Sequence, residues 1–287
     1  MVFHKLKQND EAVFATNNYD EINFESQFWS CYIWSPIIEQ YVAHDQIGTY
    51  VYSVIDQTWQ FDPPRCTINN LPAYIEQIKQ IPNKPTWEIN LLPMQAAYLK
   101  QHPIADFQYE ILPNPGYADY IYLASDLANY PGKKFQDKRN LVNQFNKLYR
   151  SEFREYQPSD LTIVKQFLTT WFNEKTVGVW NDNLPIVNAL ENYQAYGIKC
   201  FLLLVDQQII GLTIFKQYPK YVDILFEKAN AKYKGSYAIL VQLTAKQFTA
   251  QTMINRESDL DIPGLRKSKR SYNPIRIIER FVLKPIN

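Results

Sequence analysis

The sequence of 287 residues predicts an α/β (α+β) protein built from two tandem domains. A chain of this length exceeds one average domain and suits two. Strand-type and helix-type patterns alternate along it. An Asp-Gln turn between two β-rich runs occurs twice, in TYVYSVIDQTWQF and KCFLLLVDQQIIGLTIF, which suggests one α/β unit used twice. We place the domains at residues 1–124 and 125–287, because the Pro- and Gly-containing segment 113–130 is typical of a junction.

In the first half, β-rich runs bounded by turn residues predict strands, and apolar residues at helical spacing predict helices. The helix over Leu71–Ile81 is predicted from Tyr74, Ile75 and Ile78, which share one face. Pro93 suits the first turn of a second, short helix. The predicted strands are Ile37–His44, Thr49–Ile55, Thr58–Phe61, Thr86–Leu92 and Phe107–Leu112.

In the second half, DKRNLVNQFNKLYR places its apolar residues on one helical face. A hairpin over Cys200–Phe215 is expected to turn at Asp206-Gln207. Pro263 opens a short helix that ends before Pro274, and IRIIERFVL then predicts a closing strand. The other predicted elements are the helices Leu161–Phe172, Leu184–Tyr196 and Ser236–Phe248 and the strand Tyr221–Phe226.

Charge is distributed unevenly along the chain. Residues 1–124 hold 6 Lys and Arg against 14 Asp and Glu, a formal net charge of −8, whereas residues 125–287 hold 24 against 15, a net charge of +9. A basic second half indicates an anionic ligand there. Electrostatic attraction between the two domains is the alternative explanation.

Several protein classes are not expected from this sequence. The longest apolar-looking stretch without a charge, Ser26–Ile38, is shorter than the roughly 20 residues that a membrane-spanning helix needs. The N-terminal residues lack the apolar core of a secretory signal, so we expect a cytoplasmic protein. No Walker, Rossmann or Gly-x-Ser-x-Gly motif occurs.

Metal and disulfide chemistry are not expected either. The cysteines Cys31, Cys66 and Cys200 are widely separated and have no nearby histidine, a pattern typical of reduced, packed thiols. All three histidines lie in the first half, away from the motifs described below. We therefore predict no metal ligand and no permanently bound cofactor.

A candidate anion site lies between the strand Tyr221–Phe226 and the helix that begins at Ser236. A strand that leads through a Gly-containing loop into a helix exposes backbone N–H groups at the positive end of the helix dipole. The predicted phosphate-binding residues of this loop are Lys232, Gly235 and Ser236. A plain tight turn is the alternative.

A second candidate anion site is the segment INRESDLDIPGLRKSKRSYNP, residues 254–274, in which acidic residues precede a Pro-Gly break and a basic helix. The acidic residues suit the positive end of that helix. The predicted phosphate ligands are Arg256, Arg266, Lys267 and Lys269. Asn255, Glu257 and Asp259 would orient these cations or the acceptor. Glu257, Asp259 and the Tyr272 hydroxyl are the predicted catalytic groups of this segment, and core packing is the alternative for Tyr272. A solvated helix face is the alternative.

Three segments of the sequence resemble a known family. They are DLANYPGKKFQDKRNLVNQF, FEKANAKYKGSYAILVQ and INRESDLDIPGLRKSKRSYNP, which span Asp126–Pro274 in this order. They resemble the bacterial family that carries the phosphatidylglycerol lysyltransferase C-terminal domain, a set of tandem GNAT-fold proteins. The resemblance implies two tandem GNAT-like domains, each a mixed, mostly antiparallel sheet flanked by helices.

The resemblance also implies roles for individual residues. Lys232-x-x-Gly235 is similar to the GNAT loop that faces a CoA pyrophosphate, although Tyr237 stands where that loop has a small residue. A general base is implied near Glu227, and pairing of Glu227 with Lys228 or Arg256 is the alternative. Substrate contacts are further implied at Lys138, Arg139, Asn140, Lys228 and Asn255.

The function implied by the resemblance is acyl or aminoacyl transfer from an anionic carrier to an amine or hydroxyl acceptor, by direct attack within a ternary complex. The carrier would be aminoacyl-tRNA or acyl-CoA. The membrane-bound relatives, the lysylphosphatidylglycerol synthases, act on a lipid, but this sequence lacks their membrane domain and the lipid acceptor does not carry over. A non-catalytic module that binds RNA or a nucleotide through the same basic surface is the alternative.

Overall fold

The computed structural model describes residues 1–14, 27–174, 181–219 and 221–286. It divides into two compact units, one formed by Met1–Asp119 with Ile278–Asn287 and the other by Tyr120–Ile277. Each unit has a mixed, mostly antiparallel sheet flanked by helices, so the predicted fold class of two tandem GNAT-like domains is confirmed. Ser26, the first residue of the long uncharged stretch, lies outside the described residues.

Strands and helices are interleaved along both units. The strands up to the boundary are β1 (His4–Lys5), β2 (Gln40–His44), β3 (Thr49–Ile55), β4 (Thr58–Phe61), β5 (Trp87–Leu91) and β6 (Tyr109–Pro113), with helices α1 (Glu11–Phe14), α2 (Phe28–Tyr32), α3 (Leu71–Lys79) and α4 (Pro93–Gln101). The following strands are β7 (Asp119–Leu123), β8 (Ser151–Glu155), β9 (Ile198–Val205), β10 (Gln208–Gln217), β11 (Tyr221–Ala229), β12 (Met253–Asn255), β13 (Arg276–Ile278) and β14 (Phe281–Pro285). The remaining helices are α5 (Ala124–Asn129), α6 (Gln136–Leu148), α7 (Leu161–Asn173), α8 (Asn183–Glu191), α9 (Tyr193–Tyr196), α10 (Ser236–Ala245) and α11 (Pro263–Arg270).

The two sheets repeat the same arrangement of neighbours. Counting the described strands, the first sheet has the order β1-β2-β3-β4-β5-β14-β6 and the second the order β13-β7-β12-β11-β10-β9-β8. A parallel pair lies near the middle of each sheet, β4 beside β5 and β11 beside β12. Parallel neighbours need a crossover connection, which α3 supplies in the first sheet and α10 in the second.

The domain boundary differs from the predicted 1–124 and 125–287. Strand β7 pairs with β12 in the second sheet, whereas β14, at the end of the chain, pairs with β5 and β6 in the first sheet. The predicted closing strand IRIIERFVL is therefore wrong as a single element, because β13 and β14 belong to different sheets. An apolar run indicates a strand but does not specify the sheet that it joins.

The two Asp-Gln turns have the same local conformation but different places in the sheets. Asp56, Gln57, Asp206 and Gln207 have φ of 48°, 62°, 48° and 64°, as a type I′ hairpin turn requires. They close the hairpins β3–β4 and β9–β10. The counterpart of β3–β4 beside the second parallel pair is β10–β11, so the sheets repeat while the Asp-Gln dipeptides do not occupy equivalent positions.

Several local predictions are confirmed. The side chains of Tyr74, Ile75 and Ile78 on α3 are fully buried, and α11 begins at Pro263. The side chains of all three cysteines are buried, as expected for packed thiols. The predicted helix Leu184–Tyr196 is instead two helices, α8 and α9. Within the described residues, no helix is both long enough and apolar enough to span a membrane.

Candidate active site

A buried polar cluster lies in the second unit where its two parallel strands separate. The pairing of β11 with β12 ends at Asp223 and Asn255. Strand β11 continues beyond this point. Directly after β12, Arg256 N donates to the carbonyl oxygen of Tyr120 at 3.0 Å instead of pairing with β11. The side chains of Glu227 and Arg256 meet across the space that opens.

Glu227 and Arg256 form a buried ion pair. Glu227 Oε2 accepts hydrogen bonds from Arg256 Nε at 2.8 Å and from Arg256 Nη2 at 2.6 Å. The side chains are 11% and 9% exposed, respectively. Arg256 Nη1 is also buried and has no hydrogen-bond partner among the described residues. A buried, unpaired donor is costly, so this nitrogen is a natural position for a ligand oxygen.

Aromatic rings and the carboxylate hold the Arg256 guanidinium in place. Its central carbon lies 4.6 Å from the ring centroid of Tyr272 and 5.5 Å from that of Tyr122. Burial alone would lower the pKa of Arg256, but the Glu227 carboxylate and the neighbouring tyrosines Tyr122 and Tyr272 together outweigh burial, and the pKa is raised. Arg256 therefore stays charged in a partly apolar pocket, with one of its three nitrogens still available.

Lys138, on helix α6, lies beside the same tyrosine ring. Its Nζ is 3.6 Å from the ring centroid of Tyr272 and donates to Ser271 Oγ at 2.7 Å. Burial, together with the charge of Arg256, lowers the pKa of Lys138 to about 8, against a smaller opposing effect of Asp137. The predicted substrate contact Lys138 is thus brought next to Arg256.

Tyr272 connects these groups through its ring. The side chain is buried in the hydrophobic core of the second unit, with its ring centroid 6.1 Å from that of Tyr130. Burial raises the pKa of Tyr272 to about 12. The ring therefore contacts two cations, and the predicted catalytic use of its hydroxyl stays a prediction.

Asp259 organises the segment before α11. Its carboxylate accepts from Tyr120 Oη at 2.6 Å, from Arg266 Nε and Nη2 at 2.7 and 2.8 Å, and from Asp261 N at 3.0 Å. Burial acts to raise the pKa of Asp259, but the hydrogen bonds from Arg266 and Tyr120 outweigh it and the pKa is lowered. Asp259, Asp261 and Arg266 thus form one network with the Tyr120 hydroxyl.

The four predicted phosphate ligands of this segment have different surroundings. Arg256 and Arg266 are paired with carboxylates, and the buried Lys269 ammonium donates to the carbonyl oxygens of Arg256 and Glu257. Lys267 is exposed and has no ion-pair partner in the described part of the chain. Three of the four cations therefore stabilise the segment itself, and a phosphate contact by any of them stays a prediction.

The loop before α10 is packed against helix α6. Gly235 has φ +90°, and a Cβ built there would lie 2.4 Å from the carbonyl oxygen of Leu141 and 3.1 Å from Phe145 Cβ. The Ser236 hydroxyl donates to the carbonyl oxygen of Asn230 at 2.8 Å, and Lys232 pairs with Glu174 at 2.7 Å. The close packing of the loop on α6 explains why glycine is required at position 235. The predicted phosphate contact of Gly235 stays a prediction.

Lys228 belongs to a separate buried pair. Its Nζ lies 2.7 Å from Asp182 Oδ2 and 4.4 Å from the ring centroid of Trp171 on α7. Burial raises the pKa of Asp182. Successive side chains of a strand point to opposite faces, so Lys228 is directed away from Glu227 and does not join the Arg256 cluster.

The other predicted contacts support turns. Arg139 donates to the carbonyl oxygens of Tyr130 and Gly132, which precede α6. Asn255 Oδ1 accepts from Glu257 N at 2.7 Å, and the Asn255 side chain is fully buried. The exposed Asn140 accepts from Gln136 at 2.9 Å, so it lies on the helix surface outside the cluster.

Some members of the cluster were not identified from the sequence. Ser271, Tyr122 and Tyr120 are contacts of Lys138, Arg256 and Asp259, and their roles depend on tertiary packing alone. Asp223 is fully buried in β11. The sequence does contain an indication of Asp223, because a carboxylate inside the apolar run YVDILF is unusual.

The fold and this cluster define a tandem GNAT-like protein with a polar site in its second unit. The family described as phosphatidylglycerol lysyltransferase, C-terminal, matches residues 18–284. The chain belongs to this family, as its motifs predicted.

Three relatives are similar to this chain over different lengths. A solved structure of a conserved protein of unknown function from Bacteroides thetaiotaomicron is 26% identical, with a TM-score of 0.86 and 99% of each chain covered. The C-terminal domain named as that of a lysylphosphatidylglycerol synthetase from Agrobacterium fabrum is 10% identical, with a TM-score of 0.66 over 96% of this chain and 90% of that one, and shows the fold. An uncharacterised protein of Mycoplasmoides gallisepticum is 26% identical over 173 residues, 58% of this chain, and the match spans just over half of that protein, 56%.

Proposed function

We propose that this chain transfers an aminoacyl group from aminoacyl-tRNA to an amine or hydroxyl acceptor at the Arg256 cluster. The acceptor nitrogen or oxygen attacks the ester carbonyl carbon, a new amide or ester bond forms, and the bond to the ribose oxygen breaks. The acceptor loses a proton and the ribose oxygen gains one. The family to which the chain belongs, named for a lysyltransferase, supports this reaction class.

The observation that carries the proposal is the unpaired Arg256 Nη1. Negative charge develops on the carbonyl oxygen during attack, and a donor that is already oriented and desolvated stabilises it. Glu227 holds the guanidinium by two hydrogen bonds, so the free nitrogen has a fixed direction. Removing one donor of this kind typically costs a factor of about 10² to 10³ in rate.

The packing of α6 supports tRNA over acyl-CoA as the carrier. The loop that resembles a CoA-pyrophosphate loop presents the Cα of Gly235 to the backbone of α6, and the Ser236 hydroxyl and the Lys232 ammonium already have protein partners. The ring of Tyr233, in the same loop, lies 5.1 Å from that of Tyr149. The groups of this loop that would face a CoA pyrophosphate therefore already contact protein atoms.

A transfer assay with the whole chain tests the proposal. Bulk tRNA charged with radiolabelled amino acids, and separately radiolabelled acetyl-CoA, would be incubated with the protein and with primary amines, hydroxyl compounds or phosphatidylglycerol vesicles. The expected result is label moving from charged tRNA into one acceptor class, faster than spontaneous ester hydrolysis. Binding of charged tRNA without transfer to any acceptor would instead favour a non-catalytic RNA-binding module, and transfer from acetyl-CoA alone would reject the carrier.

A further inference from the structure

Lys138 differs in its partners from three other lysines of the second unit. Lys228 and Lys232 each pair with a carboxylate, and Lys269 donates to two backbone carbonyls. Lys138 has no carboxylate within ion-pair distance in the described residues, and its partners are the Ser271 hydroxyl and the face of the Tyr272 ring. None of these partners requires the amine to stay protonated.

The charges that face Lys138 favour the neutral amine. Arg256 approaches the same Tyr272 ring and is positive, while Tyr272 itself is a neutral phenol because burial raises its pKa to about 12. Asp137, on the same helix, is the opposing negative charge. Burial of the amine is the largest contribution and the charge of Arg256 adds to it, so the pKa of Lys138 falls to about 8 and the amine exchanges its proton near neutral pH.

Glu227 is less suited to accept a proton. Its Oε2 holds two hydrogen bonds from Arg256, and protonation of the carboxylate would weaken the pair that orients the guanidinium. The Lys138 amine contacts the same Tyr272 ring as the guanidinium, is half-buried and has no carboxylate partner in the described part of the chain, so it is the better candidate for a proton acceptor.

We infer that Lys138 accepts the proton of the attacking amine or hydroxyl as it adds to the carbonyl carbon, and delivers that proton to the departing ribose oxygen. This inference rests on the proposed aminoacyl transfer. The neutral amine takes the proton and becomes an ammonium, the carbon–oxygen bond to the carrier then breaks, and the ammonium returns to the amine. No proton or electron pair is left unaccounted for.

Two measurements on the full chain test this role. Competitive acetylation with trace isotopic acetic anhydride, followed by mass spectrometry from pH 6 to 11, compares Lys138 with Lys147, an exposed lysine on the same helix. We expect Lys138 to reach half of its maximal reactivity near pH 8, because burial and the charge of Arg256 lower its pKa to about 8. Equal profiles for the two lysines would overturn the inference.

The second measurement is the pH dependence of transfer. The rate should rise through pH 8 in the parent, because the neutral amine forms above its pKa. Lys138→Arg keeps a positive charge but cannot accept the proton, so we expect a loss of about 10²-fold or more with charged-tRNA affinity retained, whereas Lys147→Arg should match the parent. Parental rate and pH profile in Lys138→Arg would overturn the Lys138 role and leave aminoacyl transfer standing, whereas absence of transfer by the parent would reject both.

Discussion

Arg256 stabilises the fold through several contacts and still keeps one guanidinium nitrogen for a ligand. Two of its nitrogens bind Glu227, its face packs on Tyr272, and its carbonyl oxygen accepts from Lys269. Its third nitrogen has no hydrogen-bond partner among the residues that the structure describes. The sequence indicates a cation at this position. It does not indicate which carboxylate pairs with it, because Glu227 is 29 residues away and the contact exists only in the folded sheet.

The buried pair leads to a prediction about stability. Glu227→Gln should lower the free energy of unfolding by about 3 kcal/mol or more, because it leaves a buried guanidinium without its counter-charge. The double variant Glu227→Leu with Arg256→Met, which removes both charges, should recover much of this loss. Urea denaturation followed by circular dichroism measures both values.

An exposed pair provides the matched control for this prediction. Lys165 and Glu191 lie 2.9 Å apart with side chains 46% and 47% exposed, so Glu191→Gln should cost less than about 1 kcal/mol. A loss for Glu227→Gln no larger than that of Glu191→Gln would show that the Glu227–Arg256 pair is not a buried, desolvated interaction.

Helix α6 supplies both a site residue and a scaffold. Lys138 lies at its start, while its later residues Leu141 and Phe145 pack on the loop at Gly235. The apolar face of this helix was predicted from sequence. Its contact with the loop was not, because a pattern identifies the buried face of a helix but not the element against which it packs.

Alanine substitutions at three glycines distinguish the stability cost of backbone conformation from the cost of close packing. At Gly235 φ is positive and an added Cβ would lie 2.4 Å from the Leu141 carbonyl oxygen. At Gly132 φ is +71°, but an added Cβ would meet no atom of the described residues within 4 Å, and Gly264 has neither constraint. We expect Gly132→Ala to cost roughly 1–3 kcal/mol, because φ of 71° with ψ of −176° is a conformation open almost only to glycine. Gly235→Ala should cost more than Gly132→Ala, since the added methyl also collides with the backbone of Leu141. Gly264→Ala should cause no loss, because alanine favours the helix.

Thermal and chemical denaturation of these three variants check the order. Equal losses at positions 132 and 235 would contradict the close packing of α6 on the loop. The same Gly235→Ala protein also tests the phosphate role predicted from sequence, since that role requires weaker donor binding without weaker acceptor binding.

Elements with strong periodicity or clear terminal residues were predictable, and short or polar ones were not. Helices α3 and α11 have an apolar face and an N-terminal proline, respectively. Strand β8 was missed because its sequence SEFRE is polar and mostly exposed at the sheet edge, and β12 has only three residues. Pairing with neighbouring strands, rather than local propensity, specifies such elements.

At the level of the whole chain, the presence of two units was predictable from the chain length and from the alternation of strand and helix patterns. Which strands belong to each unit was not predictable. Strand β7 occupies the place in the second sheet that β14, at the chain end, occupies in the first. Each parallel pair therefore has an antiparallel neighbour that does not come from the adjacent part of the chain. No local sequence signal records such an exchange, since both strands are ordinary apolar runs.

The candidate site was predictable in its parts but not in its arrangement. Lys138, Glu227, Arg256 and Tyr272 fall within the three segments that resemble the family, and the structure brings them together around one tyrosine ring. These three segments carry the resemblance to the family, so the sequence alone indicated them. Only the fold shows that Arg256 retains an unpaired nitrogen beside the half-buried Lys138 amine.

The most direct test of this account is the single-turnover rate of aminoacyl transfer by Arg256→Lys, with charged tRNA saturating. Lysine keeps the charge but lacks the planar fork that binds Glu227 and leaves one nitrogen for the carbonyl oxygen. We predict a loss of about 10²-fold in rate with tRNA affinity changed only a few-fold, while Arg150→Lys, at an exposed position of the same unit, keeps the parental rate. Transfer by Arg256→Lys at the parental rate would contradict the assignment of the reaction to this cluster.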